Sequence, residues 1–298
     1  MEQIEEKKHA FSNFYDKHYK TILILPVALL LFSLIYLAVF VSQTGDIVRK
    51  DVSLTGGTTL TLYTEKQISS GIESTLKSKF SDISVRTLAD MTTGKQLALT
   101  IETKADSEEL KNEVQKYVGY ELDNSNSSIE FTGASLSKSF YKELIFAIIL
   151  AFIFMTIVVF FLFKMFLPSF YVVLCAFTDI IVPLAIINMA GITVSTAGIA
   201  AFLMLIGYSV DTDILLTTRC LKRREEDLNK RIYNSFKTGI TMTITSLVAV
   251  LVAYFIVFSP VLKEVFLILS IGLCVDIIGT WLMSASLVKW YCEIRGLK

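Results

Sequence analysis

Apolar and polar residues alternate along this chain in long blocks, not at the short spacing typical of a soluble domain. Uncharged apolar runs cover 21–41, 144–163 and 238–262, and each is at least 20 residues long. Two further apolar runs, 165–210 and 265–288, are each interrupted by a single aspartate. A helix that crosses a hydrocarbon core of about 30 Å needs about 20 such residues. The pattern therefore predicts several membrane-spanning helices.

The longest run is sufficient for two crossings, so the sequence predicts six. We place them near 21–41, 142–163, 169–190, 194–218, 238–259 and 264–289. The first run is longer than the apolar region of a cleaved signal peptide, which is about 7–15 residues. We therefore expect it to be retained as a helix.

Composition and charge placement fit a membrane protein and predict its orientation. The chain is 53% hydrophobic and 19% charged, whereas a soluble domain carries about a quarter charged residues. Its 28 basic and 28 acidic residues cancel, so no excess of positive charge indicates nucleic-acid binding. With six crossings, the basic residues of 1–20, 219–237 and 291–298 fall on one side, which the positive-inside rule assigns to the cytoplasm. The prediction is a multi-pass protein of the cell membrane, surrounded by lipid, with both termini cytoplasmic and 42–139 external.

The external segment has the pattern of a small α+β domain. Strands are predicted at 58–63, 83–88, 96–102 and 127–132, with helices at 65–80 and after the capping residue Asp106. The order βαββαβ is typical of a ferredoxin-like, split βαβ sheet. The fold class is thus an α-helical polytopic membrane protein with a ferredoxin-like domain between helices 1 and 2. The remaining five helices occupy 140–290.

Four aspartates fall inside the predicted spans: Asp179, Asp211, Asp213 and Asp276. Four ionised aspartates at helix centres would cost on the order of 10–14 kcal/mol. Hydrocarbon favours the neutral carboxyl, so an acid that alternates between dry and wet surroundings can take up and release a proton. We regard all four as candidates for proton coupling. The alternative is structural, with each acid bonded to a serine or threonine of a neighbouring helix.

Asp213 follows Asp211 by two positions, which places the two side chains about 200° apart around a helix. They therefore cannot face the same partner. One is expected to pair structurally while the other lines a polar path.

Other chemistry is not indicated by the sequence. Both histidines, His9 and His18, precede the first apolar run, and the four cysteines include no CxxC pair. No phosphate-binding GxxxxGK[ST] loop occurs. We expect no catalytic residue, no metal and no cofactor.

Gly207-Tyr208-Ser209-Val210 leads into the acidic pair of the fourth predicted helix, which continues to Arg219. This run resembles the helix-four signature of the SecF family of protein-export membrane subunits. Asp51 with the pair Gly56-Gly57 is similar to the start of the SecF external domain. The resemblance extends over nearly the whole chain.

The resemblance implies a partner, SecD, and a twelve-helix unit of the resistance–nodulation–division superfamily. It further implies help in exporting unfolded precursor proteins through the SecY channel, using the proton gradient. In bacterial members the signature reads Gly-Tyr-Ser-Val-Asn-Asp-Thr, so their aspartate aligns with Thr212 here. Their arginine early in helix five aligns with Thr238. The Asp-Thr-Asp variant resembles archaeal members.

Two alternatives come from other classes of protein. One is a lipid or drug exporter of the same superfamily, although such chains usually carry two six-helix halves. The other is an intramembrane aspartyl protease, in which two aspartates act as an acid/base pair. Its Gly-x-Gly-Asp motif is missing, because Gly207 is followed by Tyr208-Ser209-Val210.

Overall fold

The structure is a computed structural model that describes residues 18–64, 69–80, 83–89, 95–222, 227–257 and 259–296. Within these residues six helices are long and apolar enough to cross a membrane, which confirms the predicted number. The spans are His18–Thr44, Leu136–Phe163, Phe166–Met189, Thr196–Lys222, Leu228–Ile256 and Pro260–Ile294. Most of the tail before the first span, and residues 223–226 of the basic loop, lie outside the described residues.

The first five spans consist of the helices α1 (Ile24–Thr44), α5 (Ala134–Phe163), α6 (Phe166–Met189), α7 (Thr196–Lys222) and α8 (Leu228–Ile256). The sixth span is composite: α9 (Pro260–Ile278), a π-helical turn (Gly279–Ser284) and α10 (Ala285–Ile294). More than half of the side chains of the third, fourth and sixth spans are buried, but few of those of the second and fifth. The centre of the bundle is therefore built by the third, fourth and sixth spans.

The segment between the first and second spans, which we call the inserted domain, holds a four-stranded sheet. Its strands are β1 (Gly57–Tyr63), β2 (Ser84–Ala89), β3 (Gln96–Thr103) and β4 (Ser127–Thr132), in the order β2-β3-β1-β4. Every neighbouring pair is antiparallel. The helices are α2 (Val52–Thr55), α3 (Ser69–Lys77) and α4 (Ser107–Val118).

The core of the inserted domain lies on one face of this sheet. Leu60 and Leu62 of β1 pack with Leu76 of α3 and with Leu110 of α4. Strand residues alternate between faces, so Thr59 and its neighbours two residues along point away from the helices. The sheet is therefore covered by helices on one side only.

The sequence predicted most of these elements, with shifted boundaries. Asp106 caps α4 as expected, accepting a hydrogen bond of 3.0 Å from the Glu108 amide. The helix predicted over 65–80 begins at Ser69 in the described part, because 65–68 lie outside it. The short helix α2 was not predicted.

The inserted domain is tied to the bundle through its first residues. Lys50 forms a parallel bridge with Val194, which lies in the turn between the third and fourth spans. The Val194 amide donates to the Arg49 carbonyl at 2.6 Å, and the Asp51 amide donates to the Val194 carbonyl at 3.1 Å. The buried Asn188 side chain adds a donor bond of 2.8 Å to the Ile47 carbonyl. The domain is thus clamped to the ends of the third and fourth spans.

Candidate functional site

Three of the four predicted acids converge at the centre of the bundle. Asp179 of α6, Asp213 of α7 and Asp276 of α9 are each at most 2% exposed. Each comes from one of the three central spans, so their meeting depends on how these helices pack. We call these three residues the acid cluster.

Asp179 is held by hydroxyl and thiol donors. Its Oδ2 accepts a hydrogen bond of 2.6 Å from Ser209 of α7. The Cys175 thiol, one turn earlier on the same helix, lies 3.8 Å from the same oxygen. The second oxygen, Oδ1, has no hydrogen-bond partner in the described part of the chain.

Asp213 lies beside Cys175, Thr280 and Ser284, but none of them is placed for a well-formed hydrogen bond. It is fully buried, and neither carboxylate oxygen has a hydrogen-bond partner among the described residues. The hydroxyl of Thr217, one turn further along α7, is likewise buried without a partner. A buried polar group without a partner is costly, and strain, a functional role, or an ordered water or ion can account for it. A proton or a bound cation at Asp213 would remove that cost.

Asp276 is surrounded by threonines. Its Oδ1 accepts from Thr280 at 3.2 Å and lies 3.5 Å from the Thr212 hydroxyl, while its Oδ2 lies 3.5 Å from that of Thr243. These donors come from the fourth, fifth and sixth spans. Thr212 of the fourth span thus helps to support a carboxylate of the sixth span.

The π-helical turn lies directly beside the acid cluster. It begins at Gly279, where a side chain would collide with the Asp179 carboxylate and contact the Cys175 sulphur. The turn also carries Thr280 and the buried Ser284, whose hydroxyl has no well-formed hydrogen bond among the described residues. Single π turns inside α-helices occur frequently at functional sites. Here the glycine lets the sixth span approach the third closely enough to complete the cluster.

Asp211 does not join the acid cluster. It is exposed on the surface of the fourth span, whereas Asp213 faces inward, as the 200° separation predicts. Gly207 and Tyr208 lie on the same exposed side, and a side chain added at Gly207 would meet nothing within 4 Å. The fourth span therefore presents a stripe of Met204, Gly207, Tyr208 and Asp211 outside the bundle.

The remaining motif residues have structural contacts. Arg219 donates to the Asn234 carbonyl at 2.8 Å and to the Thr238 hydroxyl at 2.9 Å. The guanidinium therefore joins the end of the fourth span to the start of the fifth. In the inserted domain, Asp51 caps α2 by accepting a 2.9 Å hydrogen bond from the Ser53 amide.

The glycine pair at the start of β1 is required by geometry. Gly56 has φ +85°, and a side chain there would collide with the backbone of Ala134, where the chain leaves the domain. Gly57 has φ +140°, and a side chain there would collide with the Thr103 carbonyl oxygen. These glycines let the first and last segments of the domain cross in contact.

Two acids of the acid cluster, Asp179 and Asp213, form with Cys175 a group that could hold a cation. One ligand atom each from Cys175, Asp179 and Asp213 lie within 4.8 Å of one another, all buried. Sequence reasoning missed Cys175, Thr280 and Ser284. A signal was present for the first two, because Cys175 and Asp179, and likewise Asp276 and Thr280, are four residues apart and so share a helix face.

Comparison with known proteins identifies the family. The family model "Protein export membrane protein SecD/SecF, C-terminal" matches residues 111–294. The chain is 35% identical over 282 residues to the protein-export membrane protein SecF of Methanolacinia petrolearia, covering 93% of this chain and 95% of that protein. It is 35% identical over 290 residues to the SecF of Methanocaldococcus jannaschii, covering 95% and 99%. Both are archaeal proteins of about the same length.

Solved structures share the fold. The crystal structure of the translocon-associated membrane protein SecDF from Thermus thermophilus superimposes with a TM-score of 0.74 at 17% identity. The match covers 93% of this chain and 38% of SecDF. A SecDF structure in its super-membrane-facing form gives a TM-score of 0.59 at 19% identity. The chain belongs to the SecD/SecF family of protein-export membrane proteins.

Proposed function

We propose that this protein-export subunit couples the export of unfolded precursor proteins to the proton gradient through its acid cluster. The observation that carries the proposal is Asp213, a fully buried carboxylate without a hydrogen-bond partner among the described residues. Moving one charge through the membrane field is worth about 2.3 kcal/mol per 100 mV, which is sufficient to bias a conformational equilibrium. No catalytic chemistry is part of this proposal.

The three acids have different roles in this mechanism. Asp276 has threonine donors on both oxygens, and Asp179 has Ser209, so each can be stabilised without a proton. Asp213 has Cys175, Thr280 and Ser284 beside it but no hydrogen bond of good geometry among the described residues, so it gains most from neutralisation. A proton arriving at Asp213 would change the packing between the fourth and sixth spans, where the π turn lies. The carboxylate oxygens of Asp213 could hold another small cation instead of a proton. Imposing a sodium gradient in place of the proton gradient distinguishes the two.

We propose a SecD-like membrane subunit as the partner of this chain, with the SecY channel as the site where both act. The exposed stripe of the fourth span supports this pairing. It contains Asp211, and a carboxylate facing hydrocarbon is rare because it is costly. It also contains Gly207, and small residues let membrane helices approach closely. A partner helix that covers the stripe would remove Asp211 from lipid.

This surface can be tested by substitution of Gly207. Gly207→Trp should abolish co-purification of a SecD-like subunit with the tagged chain in mild detergent, because the added ring fills the surface where the helices meet. The fold itself should be retained, since nothing lies within 4 Å of that position. The matched control is Val158→Trp, on a similarly exposed part of the second span. Equal recovery of the subunit with both variants would refute this contact surface.

We further propose that both termini are cytoplasmic and that the inserted domain is external, as the basic blocks indicate. The domain architecture would be 1–20, 21–41, 42–139, 140–290 and 291–298, with the inserted domain a ferredoxin-like module. Support for that module comes from the strand order β4-β1-β3-β2, with all neighbours antiparallel and α3 and α4 on one face.

Protease accessibility tests this orientation. A protease added outside sealed right-side-out vesicles should cut within 42–139 and leave 219–237 intact. Inverted vesicles should show the opposite pattern and serve as the control. Cleavage of the basic loop in intact right-side-out vesicles would overturn the topology.

The two alternative functions have less support. A complete exporter of the superfamily carries two six-helix halves, whereas the relatives named above match this chain over nearly their full lengths. A protease would need an acid pair reached by water and substrate, but Asp179 and Asp213 are enclosed by the central spans.

A further inference from the structure

A cleft of about 750 Å³ lies between the helix-free face of the sheet and the bundle. One wall consists of side chains from β1, β3 and β4, including Thr59, Thr61, Thr100 and Glu130. The opposite wall is formed by the nearest ends of the fourth and sixth spans, and contains Lys263. The volume is within the range of about 300–1,000 Å³ common for ligand sites.

The sheet wall of the cleft is polar and partly unsatisfied. The face of β1 that packs on the helices presents leucines, whereas the cleft face presents Thr59 and Thr61. On β3, Thr100 is only 3% exposed, and its hydroxyl has no hydrogen-bond partner among the described residues. An antiparallel sheet can expose a polar face to water, and the buried Thr100 hydroxyl is free to bond a water or a ligand in the cleft.

The cleft is also acidic. Three acidic residues line the cleft, Asp51, Glu102 and Glu130, whereas Lys263 is the basic residue in its lining. Burial raises the pKa of Glu102, while the Arg86 guanidinium, 3.1 Å from its carboxylate, opposes the rise. Burial likewise raises the pKa of Asp51. A further positive charge in the cleft would stabilise both ionised carboxylates.

We propose that this cleft binds an extended segment of unfolded polypeptide that carries lysine or arginine. Hydroxyl groups both donate and accept, so the threonines can pair with the N–H and C=O groups of a peptide main chain. The carboxylates select a basic side chain through charge-assisted hydrogen bonds. The inference rests on the proposed function, since it gives the exported precursor a place to bind on this subunit. An anionic lipid headgroup would be repelled by the same carboxylates.

Peptide binding to the purified full-length chain in lipid nanodiscs tests the inference. The probes are two fluorescent ten-residue peptides rich in Gly, Ser and Thr, one with two lysines and one with two glutamates. The lysine peptide should bind and the glutamate peptide should not. Glu130→Gln should weaken binding about three-fold, as expected for an exposed ion pair. The matched control is Glu109→Gln on α4, which packs against the opposite face of the sheet.

Thr100→Val separates ligand binding from a structural role. Losing a hydroxyl that bonds the ligand should weaken binding of the lysine peptide about five-fold. Thermal stability should stay equal or increase, because valine removes an unsatisfied buried hydroxyl. Unchanged peptide binding in this variant would refute the cleft as the site, and would mean that it holds solvent only.

Cross-linking during export distinguishes the inference from the proposed function. In a Cys274→Ser background, where the remaining cysteines are buried, Thr61→Cys should form a disulfide with a cysteine in a precursor arrested in the channel when an oxidant such as copper phenanthroline is added. Asn112→Cys on α4 is the control and should not. Export that depends on the chain but gives no cross-link from Thr61→Cys overturns the cleft alone. Export that does not depend on the chain overturns the proposed function. The peptide-binding assay then tests separately whether the cleft binds polypeptide.

Discussion

Replacing Asp213 by asparagine is expected to remove the dependence of export on the proton gradient while leaving the protein folded. Asparagine has nearly the same shape as aspartate, cannot be ionised, and avoids a buried charge without partners. The free energy lost is that of one charge in the membrane field, about 2.3 kcal/mol per 100 mV. It corresponds to a change of up to about fifty-fold in the ratio of two conformations. Export of a secreted reporter should be followed in cells that lack the native protein, with and without an uncoupler. The variant should export at the rate that uncoupled wild-type cells show.

Asp211→Asn provides the control two residues away. Asp211 is exposed on the proposed partner surface, so its substitution should reduce co-purification of the SecD-like subunit, which Asp213→Asn should not change. A sodium gradient imposed in place of the proton gradient distinguishes the coupling ion. Gradient-dependent export by Asp213→Asn at the wild-type rate, with normal protein levels, would show that this acid is structural.

Replacing Gly56 by alanine is expected to destabilise the inserted domain by about 3 kcal/mol, because two effects combine there. The residue has φ +85°, and its new Cβ would collide with the backbone of Ala134. Backbone atoms cannot move aside as a flexible side chain can. The measurement is thermal unfolding of the purified protein, together with limited proteolysis of the inserted domain.

Two other glycines separate the effects. Gly45 has φ +76° but open space around it, so Gly45→Ala should cost only about 1 kcal/mol for the backbone conformation. Gly133 has φ −65° and open space, so Gly133→Ala should change stability by less than about 0.5 kcal/mol. From the most stable to the least stable variant, the expected order is therefore Gly133→Ala, Gly45→Ala, Gly56→Ala. If Gly56→Ala were as stable as Gly133→Ala, the close crossing of the two chain segments would be wrong.

The sequence predicted the spans well because hydrocarbon imposes a strong local requirement. Each crossing needs about 20 apolar residues, and that length can be counted directly. Helix α4 was predicted for a similar reason, since its Asp106 cap and apolar stripe are local features. The short helix α2 was missed because its four residues depend on the Asp51 cap and on contacts with distant parts of the chain.

The acid cluster was predictable only in part. Periodicity places Asp211 and Asp213 on opposite faces of a helix but does not say which face is inward. A clue was available, because Ser209, Asp213 and Thr217 repeat every four residues and form a continuous polar stripe. That Asp179 and Asp276 meet this stripe depends on the packing of three helices, which no spacing in one helix encodes.

The π turn was not predicted at all, for a physical reason. Its residues read as an ordinary continuation of the sixth span, and the extra residue in the turn has no signature of composition. Gly279 was the available hint, since glycine is unfavourable in a helix interior and often marks close packing. Its close neighbour, the Asp179 carboxylate, is a hundred residues earlier in the chain.

The bridge between Lys50 and Val194 has a mechanical consequence. The fourth span runs from this bridge to Asp213 over 18 residues, a length of about 27 Å. A helix of that length that tilts by about 5° about the acid cluster moves its far end by about 2 Å. Because backbone hydrogen bonds join that end to the first residues of the inserted domain, the sheet must follow. If the proposed proton uptake tilts the fourth span, the bridge between Lys50 and Val194 would transmit that tilt to the sheet.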